Sequence, residues 1–208
     1  MTDILVTAFM PFGGDEINPT ELILSALPEK TDDARIVKLL LPVEFEEAPR
    51  LAMRTIMRLR PGAVVLMGQA GGRRDITPER VAINVMDASI PDNAGFKPCD
   101  MPVEEGAPAA YFSTLPIKAM VEAMRADGLP ASVSNSAGTY VCNALMYSVL
   151  RGIAERGLDI PAGFVHFPFI RAQVEGREDR INMPFIELDD AIRAAEKMIF
   201  AAADSIKP

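Results

Sequence analysis

The sequence is poor in the side chains that metal sites and disulfide frameworks need. Its 208 residues include one histidine and two cysteines, Cys99 and Cys142, without the spacing of metal ligands. We therefore expect neither a metal nor a cofactor. A reducing compartment keeps thiols free, so we also expect Cys99 and Cys142 to remain unpaired.

Long apolar runs and excess positive charge are also missing. No apolar segment approaches the length of a membrane span, and residues 1–5 lack the features of a signal peptide. The formal net charge of −8 argues against nucleic-acid or anionic-membrane partners. We expect a cytoplasmic protein that does not bind membranes or nucleic acid.

What is present is enough apolar material for one core. Hydrophobic residues make up 49% of the chain and charged residues 24%, and no linker or repeat divides it. This composition predicts one globular domain over residues 1–208.

Short apolar segments alternate with amphipathic ones along the chain. The pattern predicts a three-layer α/β/α sandwich with a twisted, mostly parallel, mixed sheet. Strands are expected at 4–9, 35–41, 63–67, 81–85 and 162–167, with a short β-prone segment at 131–134. Helices are expected from the Asn18 cap onward and at 44–60, 116–127, about 142–157 and 188–205, with a long loop at 96–108 that serves as a lid or an interface.

Two glycine loops, 10–14 and 68–72, follow two of the predicted strands. In open α/β sheets ligands bind at the carboxyl edge of the strands, so these loops predict the active edge. The first loop lacks the spacing of a phosphate-binding motif.

Cys142 lies between a small polar turn at 134–139 and a helical apolar stripe. That placement puts its thiol near a helix N-terminus, where unpaired N–H groups and the dipole favour the thiolate. The sequence therefore predicts a nucleophile with a lowered pKa. The alternative is a buried, inert cysteine.

A cysteine nucleophile needs a base, and His166 at the end of a predicted strand is the one histidine available. It can face the same sheet edge as Cys142, or it can be an ordinary core residue. A carboxylate is expected to orient the ring. Among 29 acidic residues, Glu79 is favoured only because it follows the second glycine loop.

Two long motifs resemble those of the pyroglutamyl peptidase I family of cysteine peptidases, also called pyrrolidone-carboxylate peptidases. They are residues 76–84, Ile-Thr-Pro-Glu-Arg-Val-Ala-Ile-Asn, and residues 134–143, Ser-Asn-Ser-Ala-Gly-Thr-Tyr-Val-Cys-Asn. Shorter blocks at 9–14, 90–95 and 166–169 follow the same family pattern in the same order. The resemblance covers nearly the whole chain.

This resemblance implies a Cys142–His166–Glu79 triad that removes an N-terminal pyroglutamyl residue from peptides through a thioester. It also implies a homotetramer. For the apolar substrate ring it implies a pocket formed by Phe9, Phe12, Ile90 and Val141 with Gln69 nearby, although each of these side chains also suits ordinary core packing.

The chain departs from the family pattern at two positions. Ser89 stands where many relatives have an arginine that helps to hold the oxyanion, and Ala8 replaces a usual glycine. We expect the first departure to weaken turnover or to require another donor, and the second to be tolerated in extended backbone.

Two other functions fit the same residues. A cysteine amidase acting on another small lactam or amide would keep the triad and change the pocket. A non-enzymatic binding module would leave Cys142 merely packed, and its thiol would then react no faster than that of Cys99.

Overall fold

The computed structural model describes residues 2–31 and 34–206. Its helices are α1 (Pro19–Ala26), α2 (Glu47–Leu59), α3 (Ile117–Ala126), α4 (Val141–Glu155) and α5 (Leu188–Asp204). Its strands are β1 (Thr2–Phe9), β2 (Ala34–Leu41), β3 (Ala63–Gln69), β4 (Thr77–Pro78), β5 (Val81–Ile83), β6 (Ala110–Phe112), β7 (Ala162–Phe167), β8 (Phe169–Ile170) and β9 (Phe185–Ile186).

Five strands form the central sheet in the order β2-β1-β3-β7-β4. The first four are parallel, and β4 joins the edge antiparallel to β7. Strands β3 and β7 are buried along almost their full length, as expected for strands covered on both faces. The predicted mixed, mostly parallel sheet is confirmed.

Helices cover both faces of this sheet. Along β1, Ile4 and Val6 point into one apolar cluster with α1, α3 and α5, whereas Leu5 and Phe9 point into a second cluster with α2 and α4. This alternation follows from the two-residue period of a strand. The result is the three-layer α/β/α sandwich that the sequence predicts, and none of the helices in the described part of the chain is both long and apolar enough to cross a membrane.

The helix ends follow local chemistry. Asn18 caps α1 by accepting the N–H of Thr20 at 3.0 Å, with Pro19 at the first helical position. Helix α2 begins at Glu47 and not at 44, because the chain turns there and the Phe45 N–H donates to Asp92 Oδ2 at 3.0 Å.

The segment after β4 differs from the prediction. The predicted strand 81–85 is shorter, and it pairs with β6 in a separate two-stranded sheet. Residues 131–134 form no regular strand; Ala131 and Ser134 make isolated bridges to Ile76 and Glu79. The local pattern indicated extended backbone but carried no information about its partner.

The loop at 96–108 packs along residues 84–88. Met86 and Met101 exchange backbone hydrogen bonds of 2.6 and 3.0 Å, and the Ala88 N–H donates to the Pro98 carbonyl at 2.9 Å. The Asn84 side chain also bonds to the Glu104 backbone in both directions. The loop is therefore tied to the segment that leads to Ile90.

Candidate active site

The three residues expected to carry the chemistry lie on three different elements. His166 is on β7, Glu79 follows β4, and Cys142 is the second residue of α4. Gly138, with φ of 79°, makes the turn before α4, and Tyr140 caps the helix without a side-chain hydrogen bond. The first N–H groups of α4 are therefore free of side-chain caps.

Glu79 and His166 form a buried pair. Glu79 is 0% exposed and His166 4% exposed. His166 Nδ1 lies 2.7 Å from Glu79 Oε1. An ionised carboxylate only accepts hydrogen bonds, so Nδ1 carries the proton and Nε2 is left as the acceptor. The Glu79 N–H also donates to the Phe164 carbonyl at 2.8 Å, which fixes the residue against β7.

The pKa values of this pair follow from burial and mutual contact. Burial raises the pKa of Glu79, but the hydrogen bond and charge of His166, helped by Ser134 and Arg73, bring it below the usual 4.5. The Ser134 contribution is weak, because its hydroxyl donates to the Ser136 carbonyl in the structure. Burial lowers the pKa of His166 below 6.5, and Glu79 only partly offsets this effect.

Cys142 lies beside the strand position of His166. Gly68 and His166 are partners in the β3–β7 ladder, so substituents on both would project from the same face of the sheet. A Cβ on Gly68 would lie 3.0 Å from Cys142 Sγ and 2.6 Å from Phe164 Cζ. The Phe164 ring is in turn 4.7 Å from the imidazole, centroid to centroid. The structure thus brings the sulfur, the imidazole and Glu79 together at one sheet edge.

The prediction of a lowered thiol pKa is wrong for the free protein. Cys142 is partly exposed, but protein atoms surround its sulfur. Burial, followed by the Glu79 charge, raises the pKa of the thiol well above 9.0, and Arg73 and the Cys142 backbone N–H offset this rise only in part. At neutral pH the site therefore holds a neutral thiol next to a neutral imidazole.

The side chains proposed for the substrate pocket fall into two groups. Phe9, at 2% exposure, packs on Phe164 with centroids 6.4 Å apart, and fully buried Val141 precedes Cys142. Phe12 lies 6.0 Å from the Tyr140 ring, and Ile90, at 40% exposure, reaches the Gly13 backbone. The first group extends into the core, and the second lies closer to solvent.

Gln69, the remaining pocket candidate, is the last residue of β3. Its side-chain oxygen accepts the Gln173 Nε2–H at 2.8 Å, which ties the end of β3 to the chain after β8. It is adjacent to Gly68 at the carboxyl end of β3, so it belongs to the strand and not to the loop on which the sequence placed it.

Sequence reasoning missed Arg73 and Asn143. Arg73 Nη1 donates to Glu79 Oε1 at 2.6 Å, so one carboxylate oxygen serves both the guanidinium and His166. Asn143, fully buried, bonds through its amide to the backbone of Ile83 and Val85. Their positions next to Gly72 and Cys142 could have marked them as site residues, but no spacing in the sequence indicates which groups they bind.

Comparison with known proteins decides the family. A family model described as pyroglutamyl peptidase matches residues 2–205. The chain belongs to the pyroglutamyl peptidase family. The resemblance predicted from the two long motifs is thus confirmed.

Relatives in this family match over nearly their full lengths. The pyrrolidone-carboxylate peptidase of Thermococcus kodakarensis is 50% identical over 197 residues, 95% of each chain. That of Streptococcus pyogenes is 48% identical over 201 residues, 97% of this chain and 92% of the relative.

Solved structures agree with the family assignment. The pyroglutamyl peptidase I of Bacillus amyloliquefaciens superposes with a TM-score of 0.94 at 36% identity, covering 100% of this chain and 99% of its own. The pyrrolidone carboxyl peptidase of Thermococcus litoralis gives 0.94 at 37% identity, with 99% and 95% covered.

Proposed function

We propose that this protein hydrolyses the amide bond that follows an N-terminal pyroglutamyl (5-oxoprolyl) residue of a peptide. Cys142 is the nucleophile, His166 the base and then the acid, and Glu79 the group that orients the imidazole. The observation that carries the proposal is the buried Glu79–His166 pair, at 2.7 Å, on the strand position next to the Cys142 sulfur. The peptidase activity for which its relatives are named supports the proposal.

Acylation follows from this arrangement. As Cys142 Sγ attacks the pyroglutamyl carbonyl carbon, its proton moves to His166 Nε2, and Glu79 stabilises the imidazolium through Nδ1. The carbonyl oxygen becomes an oxyanion, which the free N–H groups at the start of α4 are suited to bind. The C–N bond then breaks, the departing amine takes the proton from Nε2, and a thioester remains.

Deacylation repeats the proton movements with water. A water molecule gives a proton to His166 Nε2 while its oxygen adds to the thioester carbonyl. The C–S bond breaks, the sulfur recovers the proton from the imidazolium, and pyroglutamic acid leaves. Because thiol and imidazole are both neutral at rest, the proton leaves the sulfur for Nε2 within the acylation step.

The pocket fits an uncharged ring. Pyroglutamate has no free α-amino group, so its site needs apolar walls and no carboxylate for an ammonium. Phe9, Phe12, Ile90 and Val141 supply such walls in this proposal. Gln69, adjacent to Gly68, supplies polar contacts to the lactam.

Substrate discrimination tests this proposal. We expect release of a chromogenic amine from its pyroglutamyl amide and at least about 100-fold lower kcat/KM for the matching alanyl and prolyl amides, because an ammonium would lose its hydration without a partner. Comparable rates on all three amides would favour a general cysteine amidase. No turnover of any of them would contradict the proposal.

We further propose that the protein is a single domain that acts in the cytoplasm as a homo-oligomer, with four copies as the expected number. Strongly exposed apolar side chains support self-association: Phe112 is 68% and Ile181 69% exposed. Light scattering on the purified protein tests the number of copies, and a monomeric mass at micromolar concentration would contradict it.

A further inference from the structure

Arg73 is bound to three parts of the site at once. Its Nη1 donates to Thr77 Oγ1 at 2.5 Å and to Glu79 Oε1 at 2.6 Å, and its Nη2 donates to the Ser136 carbonyl at 3.2 Å. Thr77 is in β4, and Ser136 is in the turn that leads into α4. A single guanidinium thus connects the carboxylate to the approach of the nucleophile's helix.

We propose that Arg73 is a positioning residue that holds Glu79 and the turn before Cys142 in one fixed arrangement. The inference rests on the proposed function, in which Glu79 orients His166 and Cys142 attacks. Arg73 itself touches neither the imidazole nor the sulfur among its hydrogen bonds, so it acts through Glu79 and Ser136.

Geometry explains why an arginine suits this position. The planar guanidinium presents donors in a fixed fork, so contacts in different directions can be made without bending the side chain. A lysine ammonium is a compact point charge that can retain the Glu79 contact but not reach Ser136 as well. Glu79 Oε2 makes no hydrogen bond of normal geometry within residues 2–31 and 34–206, so the Glu79 carboxylate is oriented through Oε1 alone.

The charge of Arg73 acts on both reacting groups. The charged side chains that shift the pKa values of His166 and Cys142 are those of Glu79 and Arg73. The Tyr140 phenol is a further titratable group near Cys142. Arg73 lowers the pKa of both His166 and Cys142, although its effect is smaller than those of burial and of Glu79. Loss of this charge should therefore move both ionisations to higher pH.

Three variants separate the positioning effect of Arg73 from the effect of its charge. They are Arg73→Gln, Arg73→Lys and the matched control Arg74→Gln. Arg74 is the exposed neighbour, with the same charge and outside the hydrogen bonds described above. Two quantities are measured from pH 5 to 10. One is kcat and KM for the chromogenic pyroglutamyl amide, and the other is the rate of iodoacetamide alkylation at Cys142, followed by peptide mass spectrometry.

We expect Arg73→Gln to shift both limbs of the kcat/KM profile and the Cys142 alkylation curve to higher pH. Its kcat should fall roughly 10- to 100-fold with little change in KM, because the triad loses its alignment and the substrate contacts remain. Arg73→Lys should keep the wild-type limbs but lower kcat. Arg74→Gln should match the wild type throughout.

Other outcomes overturn the inference. One is an Arg73→Gln variant whose pH profiles match those of the wild type. A second is an equal pH shift in Arg73→Gln and Arg74→Gln. A third is a loss of kcat in Arg73→Gln that matches a loss of folded protein, without any pH shift. If the wild type fails to hydrolyse the amide, the proposed function fails. The alkylation curves, which need no turnover, still decide whether Arg73 acts on the site.

Discussion

At Gly68 the central sheet passes close to the sulfur of Cys142. This glycine pairs with His166, and a side chain there would meet the Phe164 ring at 2.6 Å and Cys142 Sγ at 3.0 Å. The absence of a side chain at this position therefore leaves the space in which the thiol lies. Conformational freedom is not the reason, because its φ is not positive.

Gly68→Ala should consequently impair the site more than the fold. We expect a loss of kcat/KM of about 100-fold, since a thiol displaced by about 1 Å no longer meets the carbonyl carbon. The free energy of unfolding should fall by about 1–3 kcal/mol, as is usual for overpacking. Steady-state kinetics and urea unfolding measure the two effects.

Gly152→Ala is the matched control. Gly152 is in α4, and its added Cβ would meet only the flexible end of Met53 and, at 3.5 Å, Arg156. We expect its activity to stay within about twofold of wild type, because Met53 can move aside. Equal activity losses in the two variants would contradict the role given to Gly68.

At the same scale, the candidate side chains could be chosen from the sequence, but their ionisation states could not. A chain with one histidine leaves little choice of base, and the polar turn before Cys142 indicates a helix start. The thiol pKa depends instead on burial and on the charge of Glu79, which lies 63 positions away in the sequence. Arg73 escaped notice because its partner Ser136 lies 63 positions away and because its spacing to Thr77 and Glu79 follows no recognisable motif.

Between elements, Asn143 connects α4 to the chain around β5. Its Oδ1 accepts the Ile83 N–H at 2.9 Å, and its Nδ2 donates to the carbonyls of Ile83 and Val85, both at 2.9 Å. The amide thus replaces a strand partner for this segment. It also sets the distance between α4 and the residues that lead to Ile90.

Asn143→Ala should destabilise the protein by about 1–3 kcal/mol, because it leaves three partly buried backbone groups without the Asn143 amide as partner. Asn143→Asp keeps the acceptor but places a carboxylate oxygen against two carbonyls, so it should cost at least as much. Urea unfolding of both variants checks this. A cost under about 0.5 kcal/mol in either would show that the contacts are not needed.

The elements themselves were largely predictable where the pattern is strong. Apolar strands such as β3 and β7 and the Asn18 cap of α1 follow from local sequence, and the structure agrees. Strand β4 was not predicted, and for β5 only the strand itself was predicted and not its partner, because these pairings depend on β7, on β6 and on a side chain in α4. Local propensity cannot specify such distant partners.

At the scale of the whole molecule, a loss of stability in acid can be assigned to His166, because the chain has a single histidine. The pKa of His166 is lowered below 6.5 in the folded protein by burial, so below that pH the unfolded chain binds a proton that the folded chain does not. Stability is therefore present above pH 6.5 and is lost as the pH falls. The pKa of Glu79 is also lowered, from 4.5, and adds a second loss below that pH.

We expect the free energy of unfolding to fall as the pH drops below 6.5, by at most about 1.4 kcal/mol per pH unit. His166→Gln should remove this slope, and it should also reduce the loss below pH 4.5, because Glu79 then loses the contact that lowers its pKa. Urea unfolding at half-unit intervals measures both. Equal slopes in wild type and His166→Gln would show that another group is responsible.

The family and the α/β/α sandwich could both be predicted from the whole sequence, because long motifs and alternating apolar segments can be recognised without knowing which residues are in contact.

The assignment of the reaction to one sulfur is the central claim. The most direct measurement compares kcat/KM on a pyroglutamyl amide for Cys142→Ser and for Cys99→Ser, the exposed cysteine. We predict a loss of at least about 10⁴-fold in the first and wild-type turnover in the second. Retained hydrolysis in Cys142→Ser would contradict the account.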